Sequence, residues 1–197
     1  MLMFAKHVEK LAPPAIISRP PDSGKTQDDM RKYWHALASV TKRPVFIQTT
    51  GGVAYKGPSP SVDLLVELGK TFSNFGYVKE EADNVIARMR ALIAAKPPIR
   101  RVFGARGGFG WLYELRLGAE GLITERAIYA DVLTRVWELH KSGSDPAALK
   151  DAYSKFLLMV NLSRTHPGDL RGYQLYLWKK RGVFGTTVSR HYGPRGT

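Results

Sequence analysis

The feature that most restricts what this chain can fold into is a regular alternation. Short apolar runs at 15–18, 44–50, 75–79, 101–104 and 121–124 recur about every thirty residues. Proline or glycine bounds them, and each is too short for a helix, so they read as buried strands. Amphipathic segments lie between and around them. A first, carrying Leu2, Met3, Val8 and Leu11, ends at Pro13-Pro14. Thr26, three residues before Asp29, predicts a capping box for a helix with Met30, Tyr33, Trp34, Leu37 and Val40 on one face. Ser59-Pro60 reads as an N-cap with proline at the first helical position, ahead of Val62, Leu65, Val66 and Leu68. A further helix from about Glu81 carries Val85, Ile86, Met89, Leu92 and Ile93 and stops at Pro97-Pro98. Trp111, Leu112, Leu115 and Leu117 mark another. Strands joined by crossover helices require a parallel sheet covered by helices, which means a doubly wound α/β fold or a (β/α) barrel.

After Thr124 the strand pattern stops. Helical spacing continues over about 125–141, 145–163 and 169–181, which divides the chain into an α/β part, 1–124, and a C-terminal helical part, 125–197. The absence of cysteine removes disulfides, thiolate chemistry and cysteine-zinc sites, and suits a reducing, cytoplasmic setting. Lys6, His7, Glu9 and Lys10 interrupt the apolar stretch that a signal peptide needs, and no run reaches membrane-spanning length. The net charge of +13 is unusual, and the segment from Arg164 onward concentrates it, with seven cations against Asp169 alone. No zinc-finger spacing, aromatic RNA-binding signature or basic zipper accompanies it, so nucleic acid is not the expected partner.

Several strings are candidate sites. Ser23-Gly24-Lys25-Thr26 copies the end of a phosphate-binding loop, but the loop's first glycine would fall on Arg19, and Pro20 and Pro21 remove amide donors. Thr26 is better explained as a cap. The glycine-rich 104–110 segment, with Arg106, lacks dinucleotide-binding spacing and reads as a turn that can also approach an anion. His7, His35, His140, His166 and His191 have no partners at metal-ligand spacing, so no metal is expected. Lys79 stands apart because it ends a predicted parallel strand, the end at which α/β folds gather catalytic groups. A desolvated amine there is a nucleophile for a ketone; the competing reading is a surface lysine paired with Glu80 or Glu81.

Gly76-Tyr77-Val78-Lys79-Glu80-Glu81, preceded by Arg43-Pro44-Val45-Phe46-Ile47 and followed by Gly118-Ala119-Glu120-Gly121-Leu122-Ile123-Thr124, resembles the dihydrodipicolinate synthase and N-acetylneuraminate lyase family. The resemblance implies a TIM barrel represented by its strands four to eight and its C-terminal helices. It further implies an oligomer of identical subunits with no cofactor, and a lyase or aldolase acting on pyruvate or another 2-oxo acid. Lys79 takes the place of the Schiff-base lysine and Ile123 that of a residue lining the substrate pocket. Gln48 stands where the family carries a proton-relaying tyrosine, Asp22 where a neighbouring subunit's tyrosine is donated, and Val53 near the synthases' carboxylate-binding arginine.

An amide cannot shuttle a proton as a phenol does, so the resemblance implies a divergent lyase, aldolase or hydratase rather than the lysine-biosynthetic synthase. Arg19 and Arg106 are the candidate anion contacts. A closed barrel needs about 250 residues, so the expected architecture is an incomplete one of five strand-helix units, the C-terminal part of a longer ancestral protein. A catalytically inactive fragment or pseudoenzyme subunit is the alternative.

Overall fold

The computed structural model describes residues 2–52, 54–124, 127–165 and 170–188. The chain divides into two compact units, Met1–Ile123 and Thr124–Thr197. In the first, α1 (Leu2–Leu11) precedes four strand-helix units: β1 (Ile16–Ser18) and α2 (Gln27–Ala38), β2 (Val45–Gln48) and α3 (Val62–Thr71), β3 (Tyr77–Lys79) and α4 (Val85–Ala94), then β4 (Arg101–Phe103) and α5 (Trp111–Leu117). The strands are all parallel and lie in the order β1-β2-β3-β4. Strand order therefore never reverses, which is the winding of a (β/α) barrel; a doubly wound sheet reverses at a switch point.

Alternation along the strands sorts side chains between two faces. Val45, Ile47, Val78 and Val102 point to the helix-covered face, all at most 1% exposed, and pack with Met30, Trp34, Leu64, Leu68, Met89 and Leu92. Trp34 also donates its indole N–H to Ser18 Oγ at 3.1 Å, pinning α2 onto β1. The registers Ile17↔Phe46↔Tyr77 and Gln48↔Lys79↔Phe103 put the remaining residues on the second face. There Phe46 contacts both Tyr77 and Phe103 with ring centroids 5.1 Å apart, while Ile17 on β1 is 52% exposed. Parallel sheets normally have both faces covered, so a half-exposed isoleucine on β1 marks an uncovered margin of this sheet.

Local chemistry sets the element boundaries. The predicted capping box is present: Asp29 N–H donates to Thr26 Oγ1 at 3.1 Å, and the Asp29 carboxylate accepts from Thr26 N–H at 3.0 Å. Thr26→Ala is expected to cost about 1 kcal/mol in equilibrium unfolding, and Thr26→Ser to recover it. At β3, Gly76 sits at φ +95°, and a Cβ there would lie 2.4 Å from the Pro98 carbonyl oxygen. Only glycine lets the chain enter the strand so close to its neighbour.

Three sequence expectations shift. The cap of α3 is Ser61, whose Oγ accepts from Leu64 N–H at 3.1 Å, while the Pro60 carbonyl is taken by the Arg88 guanidinium. Helix α4 starts at Val85 rather than near Glu81, because Thr49 Oγ1 accepts from the N–H groups of Glu81 and Ala82 and Asn84 turns to φ +55°. The fifth strand reduces to a single parallel bridge, Gly104↔Leu122. Gly121 sits there at φ +155°, where a Cβ would lie 2.5 Å from the Phe103 ring.

The second unit holds α6 (Ala130–Ser142), α7 (Pro146–Thr165) and α8 (Leu170–Lys180). Leu133, Val136 and Leu139 of α6 and Tyr153, Phe156 and Val160 of α7 are buried. Arg181, in the basic segment, pairs with Asp131 at 2.5 Å. His166, Asp169, Arg190, His191 and Arg195 lie outside the described residues. Among the described residues no helix is long and apolar enough to cross a membrane, and no cluster of metal-binding side chains occurs.

Candidate active site

Register brings the site together. Gln48 at the end of β2 and Lys79 at the end of β3 are direct cross-strand partners, so their side chains emerge side by side. The Lys79 ammonium donates to Gln48 Oε1 at 3.0 Å and lies 3.4 Å from Glu81 Oε2. Its side chain is only 11% exposed and that of Glu81 16%, so this is a largely desolvated ion pair rather than a surface one. Gln48 Nε2 donates to the Thr50 carbonyl at 3.2 Å, which fixes the amide so that its oxygen faces the lysine. The Thr50 hydroxyl in turn hydrogen-bonds to Glu81 Oε1. Gln48, Thr50, Lys79 and Glu81 thus form a ring of contacts at the carboxyl end of the sheet.

A second network holds the backbone that carries this ring. Glu80, fully buried, turns away from Lys79. Its Oε1 accepts from Thr49 Oγ1 at 2.8 Å and Ala82 N–H at 2.9 Å, and its Oε2 accepts from Arg88 Nε at 3.1 Å. Consecutive glutamates therefore have opposite jobs: Glu80 anchors the turn and Glu81 meets the lysine. Arg106, at φ +54°, donates to the carbonyls of Glu81 and Ala82 at 2.8–3.1 Å and reaches Asp83 at 3.7 Å. It clamps the turn after β3.

Arg19 follows β1 and lies against Gly52, 3.8 Å from Asp22. It lines a cavity of about 330 Å³ together with Phe4, Val8, Ile17, Tyr33 and Gln48. Gln48 is thus shared between this cavity and the lysine. Ile123 is placed beyond β4, its N–H donating to the Gly104 carbonyl at 3.0 Å. Val53 lies outside the described residues.

Glu114 of α5 is a buried carboxyl that sequence reading passed over. It is 2% exposed, and its Oε2 has no hydrogen-bond partner. A methyl group on Gly104 would sit 2.0 Å from that oxygen, so the glycine at the end of β4 is what admits the carboxyl. Burial pushes the group up to about 7, with Arg106 opposing and Glu80 reinforcing the rise. The helical pattern of α5 hides it, because Glu114 occupies a core-facing position that a leucine would ordinarily fill.

Solved structures share this arrangement of singly wound parallel β/α units. No protein-family model and no curated protein matches the chain. Dihydrodipicolinate synthase from Rhodopseudomonas palustris superimposes with a TM-score of 0.79 at 18% identity over 100% of this chain and 67% of its own. A catalytic-lysine mutant of the sialic acid aldolase from Ruminococcus gnavus gives 0.80 at 16% identity, over 98% and 62%. A prophage protein of the dihydrodipicolinic acid synthase family from Escherichia coli K12, solved with pyruvate, gives 0.74 at 18%, over 98% and 63%. The chain therefore has the fold of the dihydrodipicolinate synthase and sialic acid aldolase structures, and spans roughly three fifths to two thirds of their length.

Proposed function

We propose that the chain is a divergent member of the dihydrodipicolinate synthase and N-acetylneuraminate lyase family that forms an imine between Lys79 and pyruvate or another 2-oxo acid. The observation that carries this reading is the amine itself: a nearly buried Lys79 Nζ at the carboxyl end of a parallel strand, aimed by Gln48 and Glu81. An ε-amine so placed attacks a ketone carbon, and the resulting iminium draws electrons from the bond to be made or broken, so the lysine itself supplies the electron sink. The likeness to an aldolase with a catalytic lysine and to a relative solved with pyruvate supports the same chemistry.

Arg19, on the cavity that Gln48 borders, is the side chain suited to the substrate carboxylate, because guanidinium matches carboxylate geometry. Gln48 holds the lysine by its amide oxygen but passes no proton, which sets this site apart from one with a phenol at that position.

Enamine formation from the imine exchanges the pyruvate methyl protons with solvent. In D2O the protein is expected to accelerate loss of the methyl proton signal, and Lys79→Ala to return it to the rate of buffer alone. Equal rates for the folded wild type and Lys79→Ala, with no borohydride-trapped adduct at Lys79 from pyruvate or another 2-oxo acid, would overturn the proposal.

A further inference from the structure

We propose that Glu81 is the proton-transferring group of this site, taking over with its carboxylate the function that the Gln48 amide cannot perform; the inference rests on Lys79 being the imine-forming residue. Three observations converge on it. Glu81 Oε2 is 3.4 Å from Lys79 Nζ, the reacting atom. The other oxygen, Oε1, is held by the Thr50 hydroxyl, which leaves Oε2 facing the amine. The backbone of Glu81 is fixed from both sides, its N–H donating to Thr49 Oγ1 at 2.9 Å and its carbonyl accepting two bonds from Arg106. Such preorganisation is what a transfer group needs and what a casual surface pair lacks.

The protons balance through this one carboxylate. Glu81 takes a proton from the Lys79 ammonium, freeing the lone pair that attacks the substrate's C2. It then moves a proton from the attached nitrogen to the former carbonyl oxygen, giving a neutral carbinolamine. The proton first removed from the ammonium is returned to the hydroxyl, which departs as water and leaves the protonated imine with Glu81 again ionised. The carboxylate beside the iminium then removes a proton from C3, giving the enamine and a protonated Glu81, which exchanges with solvent or protonates the next intermediate. No other acid or base is required, and the negative charge at Oε2 also stabilises the iminium that forms next to it.

Glu81→Gln keeps the size and the backbone bonds but removes the base. Over long incubation with pyruvate and borohydride it is expected still to yield an adduct at Lys79, while its methyl-proton exchange rate falls by ~100-fold or more. Glu81→Asp is expected to recover part of that rate. This split between trapping and exchange is one that a merely structural role does not produce. A Glu81→Gln protein that exchanges at the wild-type rate overturns the inference, as does one that is folded but gives no adduct even over the long incubation. Failure of the wild type to give any borohydride-trapped adduct at Lys79 with pyruvate or another 2-oxo acid instead removes the imine reading itself, so the two claims fall separately.

Discussion

Arg88→Ala is expected to destabilise the protein by about 3 kcal/mol, read as a lower urea midpoint followed by circular dichroism. Glu80 is fully buried, and the Arg88 guanidinium, 3.1 Å away, is its ion-pair partner. Truncating Arg88 leaves a carboxylate with no cation in a low-dielectric site and also orphans the Pro60 carbonyl. Thr49 and the Ala82 N–H still hold Glu80 Oε1, which places the loss at the lower end of what broken buried pairs cost. Replacing both partners, Glu80→Gln with Arg88→Met, removes the uncompensated charge and is expected to recover more than half of the loss. A single-variant loss below about 1 kcal/mol, the usual range of exposed pairs, would mean that the pair does not secure the turn behind Lys79.

Glu114→Gln is expected to stabilise the protein, and only at neutral to alkaline pH. The buried carboxyl is raised from 4.5 to about 7, so the folded state holds a proton that the unfolded chain has released between those values. Wild-type stability contributed by this group therefore falls as pH rises from about 4.5 to 7 and is level above that. The shift corresponds to a cost of about 3 kcal/mol for ionising Glu114 in place. Glutamine carries no such cost, so the variant gains that amount at pH 8 and nothing at pH 5. Denaturant titrations of both proteins at the two pH values measure it. An equal difference at both values would mean that Glu114 does not titrate in the folded protein as its burial requires.

Much of this organisation is written in short-range signals. Apolar runs of strand length, the Thr26 and Asp29 pairing and the proline stops place four strands and most of their helix boundaries, because those boundaries are decided by residues within one turn. Lys79 is legible for a related reason: the end of a parallel strand is a defined location in this kind of fold. Ser61, three residues before the Leu64 N–H it caps, is hidden by the more conspicuous Ser59-Pro60, whose proline carbonyl serves a distant arginine. The start of α4 is likewise decided from outside, by the Thr49 hydroxyl just beyond β2.

Contacts across strands are where sequence order says least. Gln48 and Lys79 are 31 residues apart and become neighbours only through parallel register. The signal available in retrospect is positional. Thr49-Thr50 follows β2 as Glu80-Glu81 follows β3, and adjacent parallel strands in register pair the first of each and the second of each. Glu114 gives no such clue, since its partner is an absence, the missing side chain of Gly104.

The central claim is that Lys79 Nζ is a carbonyl nucleophile. Reduction with borohydride in the presence of pyruvate, followed by peptide mass spectrometry of the folded protein, tests it most directly. The account predicts an adduct on the peptide containing Lys79 and none in Lys79→Arg, which keeps a cation opposite Glu81 but offers no amine. A folded protein labelled only at exposed lysines, or not labelled by pyruvate or any other 2-oxo acid, would contradict it.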